Sequence, residues 1–205
     1  MRIKVCGMRN EDNIIGLCQL PIDFIGFIFY PKSARYVNRV PRAVIPSSIK
    51  KVGVFVNATM AEIAQKSSEF KLDYIQLHGD ESEAFCQELK EKEYKLIKAF
   101  SVDDEFDFSI TERYESSCDF FLLDTKGKSY GGNGIPFNWG ILKKYQSDKK
   151  FFLSGGIDLN NIERIKKLNI PLLYAIDVNS KFETEPALKD LSKIKQLTDE
   201  FFHEK

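Results

Sequence analysis

The chain has 205 residues, enough for one sizeable core, and its 30 Lys+Arg balance 30 Asp+Glu to a formal net charge of zero. That balance offers no basic stripe for nucleic acid and no acidic tail that would favour disorder; a hydrophobic content of 43% is ordinary for a soluble globular chain. No apolar run approaches the ~18 residues of a membrane span, and no secretory signal pattern is evident, so a soluble chain without membrane partners is expected.

The cysteines, Cys6, Cys18, Cys86 and Cys118, are widely spaced with no C-x-x-C pair. At this chain length they read as free thiols in a reducing cytoplasm rather than a disulfide framework. With only His78 and His203 to join them, neither a metal site nor a metal cofactor is expected.

Apolar runs and helical patterns alternate along the chain. "IKVC" from Ile3 reads as a first strand, followed by a helix over Asp12 to Leu20 with Glu11 and Asp12 suited to its first turn. "FIGFIF" from Phe24 and "KVGVFV" from Lys51 are the next strands. Thr59 and Glu62 then form a capping-box pattern, with Met60, Ile63 and Ala64 as the apolar side of a helix. "YIQLH" from Tyr74 leads to a helix over Glu81 to Lys92 carrying Ala84, Phe85 and Leu89, and "KLIKAF" from Lys95 follows. Between Ser101 and Ser117 the stripe of Phe106, Ile110 and Tyr114 is thin, so a short or irregular fifth helix is predicted. "FFLLD" from Phe120, "FFLSGG" from Phe151 and "LYAIDV" from Leu173 complete eight strands. Asn160 or Asn161 can cap a helix striped by Ile162, Ile165 and Leu168. A last helix near Ala187 to Phe202 offers Leu188, Leu191, Ile194, Leu197 and Phe201.

Strand then helix, repeated eight times, implies parallel strands with right-handed crossovers. The predicted fold is α/β, a single-domain (β/α)₈ TIM barrel over residues 1–205, with an open doubly wound sheet as the alternative. The absence of G-x-G-x-x-G after the first strand speaks against a dinucleotide-binding version.

A barrel enzyme builds its site at the C-terminal ends of its strands. Polar residues collect there: Cys6, then Tyr30, Lys32 and Arg35, then Asn57, His78 and Asp124, then Ser154, and finally Asp177, Asn179 and Ser180. Alternation puts Gln76 and His78 on one face of the fourth strand, and Phe120, Leu122 and Asp124 on one face of the sixth. If that face points inward, Asp124 stands on a packed apolar layer, where desolvation favours a protonated carboxyl. Gly155-Gly156 after the seventh strand, before a helix, allows backbone amides to approach an anion. "YGGNG", residues 130–134, reads as a mobile cover rather than a phosphate cradle.

Seven segments in order, "KVCGMRN", "GFIFYPKSARYV", "VGVFVN", "IQLHGDE", "LLDTK…YGGNG…FNW", "LSGGIDLNNI" and "AIDVNSKFE", resemble phosphoribosylanthranilate isomerases of tryptophan biosynthesis, over Lys4 to about Asp190. The resemblance implies a cofactor-free barrel that binds a small-molecule substrate and converts an aminoaldose to an aminoketose. Asp124 matches the family's general acid, Cys6 its general base, and Arg35 the residue that pairs with the anthranilate carboxylate. His78 and Asp177 are candidate substrate contacts; Gly155, Gly156, Ser180 and Lys181 are candidate phosphate contacts. A thiol base is mostly protonated at neutral pH, so Cys6 needs either a lowered pKa or an unusually acidic substrate proton. Lys4 shares its strand face and could help electrostatically.

Lys181 departs from the family pattern, which has glycine there, and so gives up that residue's freedom at positive φ. Two alternatives stay open: a related isomerase acting on a histidine-pathway aminoaldose, which would favour paired aspartates, and a barrel that binds a sugar phosphate without catalysis. A monomer is expected.

Overall fold

The apolar runs become strands because their alternate residues meet two different apolar environments. The computed structural model describes residues 1–125 and 138–202, so the glycine cluster at 130–134 and His203 lie outside the described residues. The strands are β1 (Arg2–Val5), β2 (Phe24–Ile28), β3 (Lys50–Phe55), β4 (Tyr74–Leu77), β5 (Leu96–Val102), β6 (Phe120–Thr125), β7 (Phe151–Leu153) and β8 (Leu173–Val178). They pair in parallel in chain order and close with β8 on β1, through Arg2↔Ala175 to Val5↔Val178. The closed barrel, not the open sheet, is the fold.

One face of each strand fills the barrel and the other packs under the surrounding elements. Phe24, Val52, Ile97, Leu122, Phe152 and Ala175 form the interior core. Its aromatic rings meet edge to face, as Phe24 and Phe152 do at 5.2 Å, or stack, as Phe120 and Tyr174 do at 4.6 Å. Ile3, Val5, Ile75, Leu77, Phe121 and Leu123 point the other way, into the larger outer core. The alternation predicted for β4 and β6 is therefore present, and it turns Gln76, His78 and Asp124 inward.

The crossovers are less regular than the strands. Helix α1 (Glu11–Leu17) is capped by Asn10, whose Oδ1 accepts from the Asn13 amide at 2.9 Å. Helix α2 (Met60–Phe70) carries the predicted capping box, but its buried side chains are Ile63 and Phe70, while Ala64 is exposed. Helix α3 (Glu83–Glu91) starts after a Ser82 cap and buries Cys86 and Leu89; Ala84 is exposed. Helix α4 (Ser109–Glu112) is the expected short fifth crossover element. A 3₁₀ segment, Trp139–Lys144, precedes β7 and buries Trp139 fully. Helices α5 (Ile162–Lys166) and α6 (Leu191–Phe202) complete the layer.

Two expectations need correction. Residues 29–49 join β2 to β3 without a helix, because Pro31, Pro41 and Pro46 interrupt the segment. The last helix begins at Leu191 rather than near Ala187. Residues before it form a small hairpin, β9 (Glu183–Glu185) and β10 (Leu188–Lys189), with Ala187 at φ +69°. Asp190 then starts α6, accepting from the Ser192 and Lys193 amides at 3.1 and 3.2 Å. No helix among the described residues is long and apolar enough to cross a membrane.

Candidate active site

The thiol of Cys6 opens into a cleft at the C-terminal mouth of the barrel. The backbone beyond β1 is fixed on both sides: Cys6 N–H donates to Val178 O, and the Gly7 and Met8 amides both donate to Gly26 O, each at 3.0 Å. Gly26 has to be glycine, since a Cβ there would sit 2.7 Å from Cys6 Sγ. One layer lower on the same face, Lys4 Nζ donates to Asp177 Oδ2 at 2.8 Å. Burial alone would lower the Lys4 ammonium; the Asp177 carboxylate, aided by Cys6, outweighs it and holds Lys4 above its ordinary value. Burial is also the largest influence on Cys6 and pushes the thiol up, against the pull of the Lys4 and Lys189 ammonium groups. A thiol lowered in the free protein, one of the two routes expected from sequence, is not what this site provides.

Across the cleft, Asp124 at the end of β6 accepts from the Thr125 amide at 3.0 Å through Oδ1, and its Oδ2 lies 3.2 Å from His78 Nε2. Gln76 Nε2 lies 2.8 Å from His78 Nδ1. With that amide donating to Nδ1, the ring proton sits on Nε2 and is offered to Asp124. The turn after His78 is clamped from below by Glu81. Its carboxylate accepts from the Asn57 amide at 2.9 Å, from the Gly79 amide at 3.0 Å and from Lys98 Nζ at 3.0 Å. Sequence reasoning placed Glu81 inside a helix and missed this clamp. A lysine inside the apolar run "KLIKAF" was the available signal, because a buried ammonium needs an anionic partner.

Gly155 and Gly156 follow β7 at φ +88° and +67°. A Cβ on Gly155 would lie 2.1 Å from Thr125 Oγ1, so the loop lies against β6 with no room for a side chain. The helix expected next does not start until Ile162. Asn161 makes no side-chain cap; its Nδ2 donates to Gly156 O at 2.8 Å and buttresses the loop instead. Any anion here meets loop amides rather than a helix end. After β8, Ser180 and Lys181 lie in a 3₁₀ turn, Ser180–Phe182. Lys181 is not at positive φ, so the departure from glycine is accommodated without strain, and the exposed side chain borders the cleft.

Cys6, His78, Asp124, Gly155, Gly156, Asp177, Ser180 and Lys181 thus line one cleft at the barrel mouth. Asp177 is committed to Lys4 through Oδ2, and among the described residues its buried Oδ1 has no hydrogen-bond partner. Arg35 is not among the lining residues. Its guanidinium is turned to Glu183, with Nη2 2.6 Å from Oε2. Asn179, Glu183 and Lys189 surround it, and none of the three had a role assigned from sequence, although the first two lie in the segment "AIDVNSKFE".

A closed parallel barrel with thiol, imidazole and carboxyl gathered over its C-terminal mouth defines a (β/α)₈-barrel enzyme. The family model for N-(5'phosphoribosyl)anthranilate (PRA) isomerase matches residues 3–200. An N-(5'-phosphoribosyl)anthranilate isomerase from Parabacteroides distasonis is 47% identical over 208 residues, covering 99% of this chain and 94% of that protein. The crystal structure of phosphoribosyl anthranilate isomerase from Thermotoga maritima superposes with a TM-score of 0.85 at 32% identity, covering 97% of each chain. A phosphoribosyl anthranilate isomerase in complex with reduced 1-(o-carboxyphenylamino)-1-deoxyribulose 5-phosphate superposes with a TM-score of 0.83 at 31% identity, again over 97% of each chain. The chain belongs to the N-(5'-phosphoribosyl)anthranilate isomerase family.

Proposed function

We propose that this chain catalyses the Amadori rearrangement of N-(5-phosphoribosyl)anthranilate to 1-(2-carboxyphenylamino)-1-deoxyribulose 5-phosphate, with Asp124 as general acid and Cys6 as general base. The observation that carries the reading is the placement of these two groups in one cleft on β1 and β6, three steps apart around the closed barrel. By ideal barrel geometry, groups three strands apart face each other across the mouth with room for a sugar ring between them, whereas groups on neighbouring strands would leave no gap.

Asp124 gives its proton to the furanose ring oxygen as the C1–O bond breaks, leaving a protonated Schiff base at C1. The His78 Nε2–H, 3.2 Å from Asp124 Oδ2, steadies the carboxylate left behind. Cys6, as the thiolate after giving its own proton to solvent, then takes the proton from C2, and the C2–H electrons form the C1–C2 double bond of an enolamine while the iminium nitrogen becomes neutral. Burial leaves little of Cys6 as thiolate, so this step draws on the electron-withdrawing iminium, which acidifies C2, and on the ammonium of Lys4, which offsets the thiolate charge. The enolamine tautomerises by protonation at C1 and loss of the C2 hydroxyl proton. The Gly155 and Gly156 amides, with Ser180 and Lys181, hold the phosphate; Arg35 holds the anthranilate carboxylate; and Asp177 orients the sugar through Oδ1.

The whole chain serves as one catalytic domain acting as a cytoplasmic monomer. Its four cysteines form no disulfide, and among the described residues the exposed large apolar side chains are Met1, Ile15, Val40, Val44, Ile110 and Phe202, of which only Val40 and Val44 share a segment. Sedimentation analysis tests the monomer. A relative from Thermotoga maritima is described as dimeric, so a dimer is the alternative outcome. The function is tested by following loss of the substrate's anthranilate fluorescence. Turnover by the wild-type chain, with none on the histidine-pathway aminoaldose, supports the reading; tight binding without turnover would make the chain a phosphosugar binder.

A further inference from the structure

We propose that Glu183 is a positioning residue for Arg35: it grips one edge of the guanidinium, presents the other edge to the substrate carboxylate, and is itself fixed by the buried Lys189. This rests on the reading of Arg35 given above and extends it to the hairpin after β8.

The contacts link the hairpin to Arg35 and, through Lys189, to the cleft-lining Asn179. Arg35 Nε donates to Glu183 Oε1 and Oε2 at 2.9 and 3.0 Å, and Nη2 donates to Oε2 at 2.6 Å. Among the described residues Nη1 has no hydrogen-bond partner, so the far edge of the fork is free for a second carboxylate, the geometry to which a guanidinium is best suited. The Arg35 stem cannot swing away toward β1. Gly7, the residue after Cys6, lies so close that a Cβ there would be 2.8 Å from Arg35 Cδ.

Glu183 is equally constrained. Its side chain is 3% exposed, that of Lys189 is 0% exposed, and Lys189 Nζ donates to Glu183 Oε1 and, at 2.8 Å, to Asn179 Oδ1. The Ala187 amide, at the left-handed turn of the hairpin, also donates to Oε1 at 3.1 Å. Asn13 of α1 takes both backbone groups of Lys189, at 2.8 and 2.9 Å. Burial would favour a neutral Glu183, but the Arg35 hydrogen bonds and the Lys189 charge hold its carboxyl below the usual range.

Charge explains why such a network is useful. Arg35 and Lys189 against Glu183, two cations and one carboxylate, leave a surplus of one positive charge beside the cleft-lining Asn179, which a single substrate carboxylate neutralises. Stability alone does not call for this arrangement, because well-packed apolar residues commonly do as well as a buried ionic triad.

The test compares two probes: reduced 1-(o-carboxyphenylamino)-1-deoxyribulose 5-phosphate, which carries the aromatic carboxylate, and ribulose 5-phosphate, which does not. Glu183→Gln is expected to weaken the first about tenfold, to leave the second within about twofold, and to raise KM more than it lowers kcat. In an Arg35→Ala background the same change adds nothing. Glu183→Gln/Lys189→Met removes both charges, so no buried ammonium is left unpaired. It is expected to fold, shown by an unchanged far-UV spectrum, and still to lose the aromatic ligand selectively. Equal weakening of both probes, or full additivity with Arg35→Ala, would overturn the inference. If Arg35→Ala weakens the aromatic probe selectively while the Glu183 variants bind normally, only this inference falls. If Arg35→Ala binds the aromatic probe like wild type, the assignment of Arg35 falls with it.

Discussion

Lys4 Nζ and Asp177 Oδ2 meet at 2.8 Å on adjacent strands, with their side chains 0% and 6% exposed. The pair puts a compensated cation one layer beneath Cys6. Removing one partner leaves a bare buried charge, so Lys4→Met is expected to cost about 3–5 kcal/mol in denaturant unfolding. Lys4→Met/Asp177→Leu should regain most of that stability but not the activity. Wild-type kcat in the double variant would show that the pair serves the fold alone.

Burial of the Cys6 thiol has a pH consequence whose sign is fixed. Its folded pKa lies above the ordinary value of about 8.5, so the folded state holds the proton more tightly than the unfolded chain. The resulting stability is fully present below that ordinary value and is lost as pH rises through the higher folded one. Denaturation of the wild type compared with Cys6→Ala across this alkaline window should show a steeper decline for the wild type. Parallel curves would contradict the upward shift.

Gly155 combines φ +88° with a Cβ position 2.1 Å from Thr125 Oγ1 and 2.5 Å from Thr125 N. Gly155→Ala is therefore expected to destabilise the fold by about 1–3 kcal/mol and to weaken ribulose 5-phosphate binding, since the loop must move off β6. Calorimetry and titration with that ligand check both effects. Unchanged affinity would separate the loop from phosphate binding.

Far from the cleft, the Thr59 hydroxyl accepts from the Glu62 amide at 3.3 Å, and Glu62 Oε2 accepts from the Thr59 amide at 2.8 Å. Thr59→Ala should lower stability by about 1 kcal/mol. In a chain of this size that is roughly 2–4 °C in Tm, with kcat unchanged. A kcat loss would mean that α2 is coupled to the site.

The strands were legible because burial on both faces writes continuous apolar runs, and alternation put Gln76 with His78 and Leu122 with Asp124 on shared faces, while the closed barrel decided that those faces point inward. The capping box of α2 was legible because both partners lie within one turn. Glu81 and Glu183 were not: each looks like helix or loop in sequence and takes its role from a cation beyond its own element, Lys98 17 residues on and Arg35 148 residues back. The late start of α6 was hidden because Asn13, 176 residues from Lys189, and Glu183, rather than the local apolar stripe, hold Lys189 and Ala187 in the hairpin.

The most direct test measures kcat for Cys6→Ala and Asp124→Asn together with their affinity for reduced 1-(o-carboxyphenylamino)-1-deoxyribulose 5-phosphate. Each variant is expected to lose about 10²–10⁴ in kcat while binding this ligand within about threefold of wild type. Wild-type kcat in either variant would contradict the thiol–carboxyl mechanism.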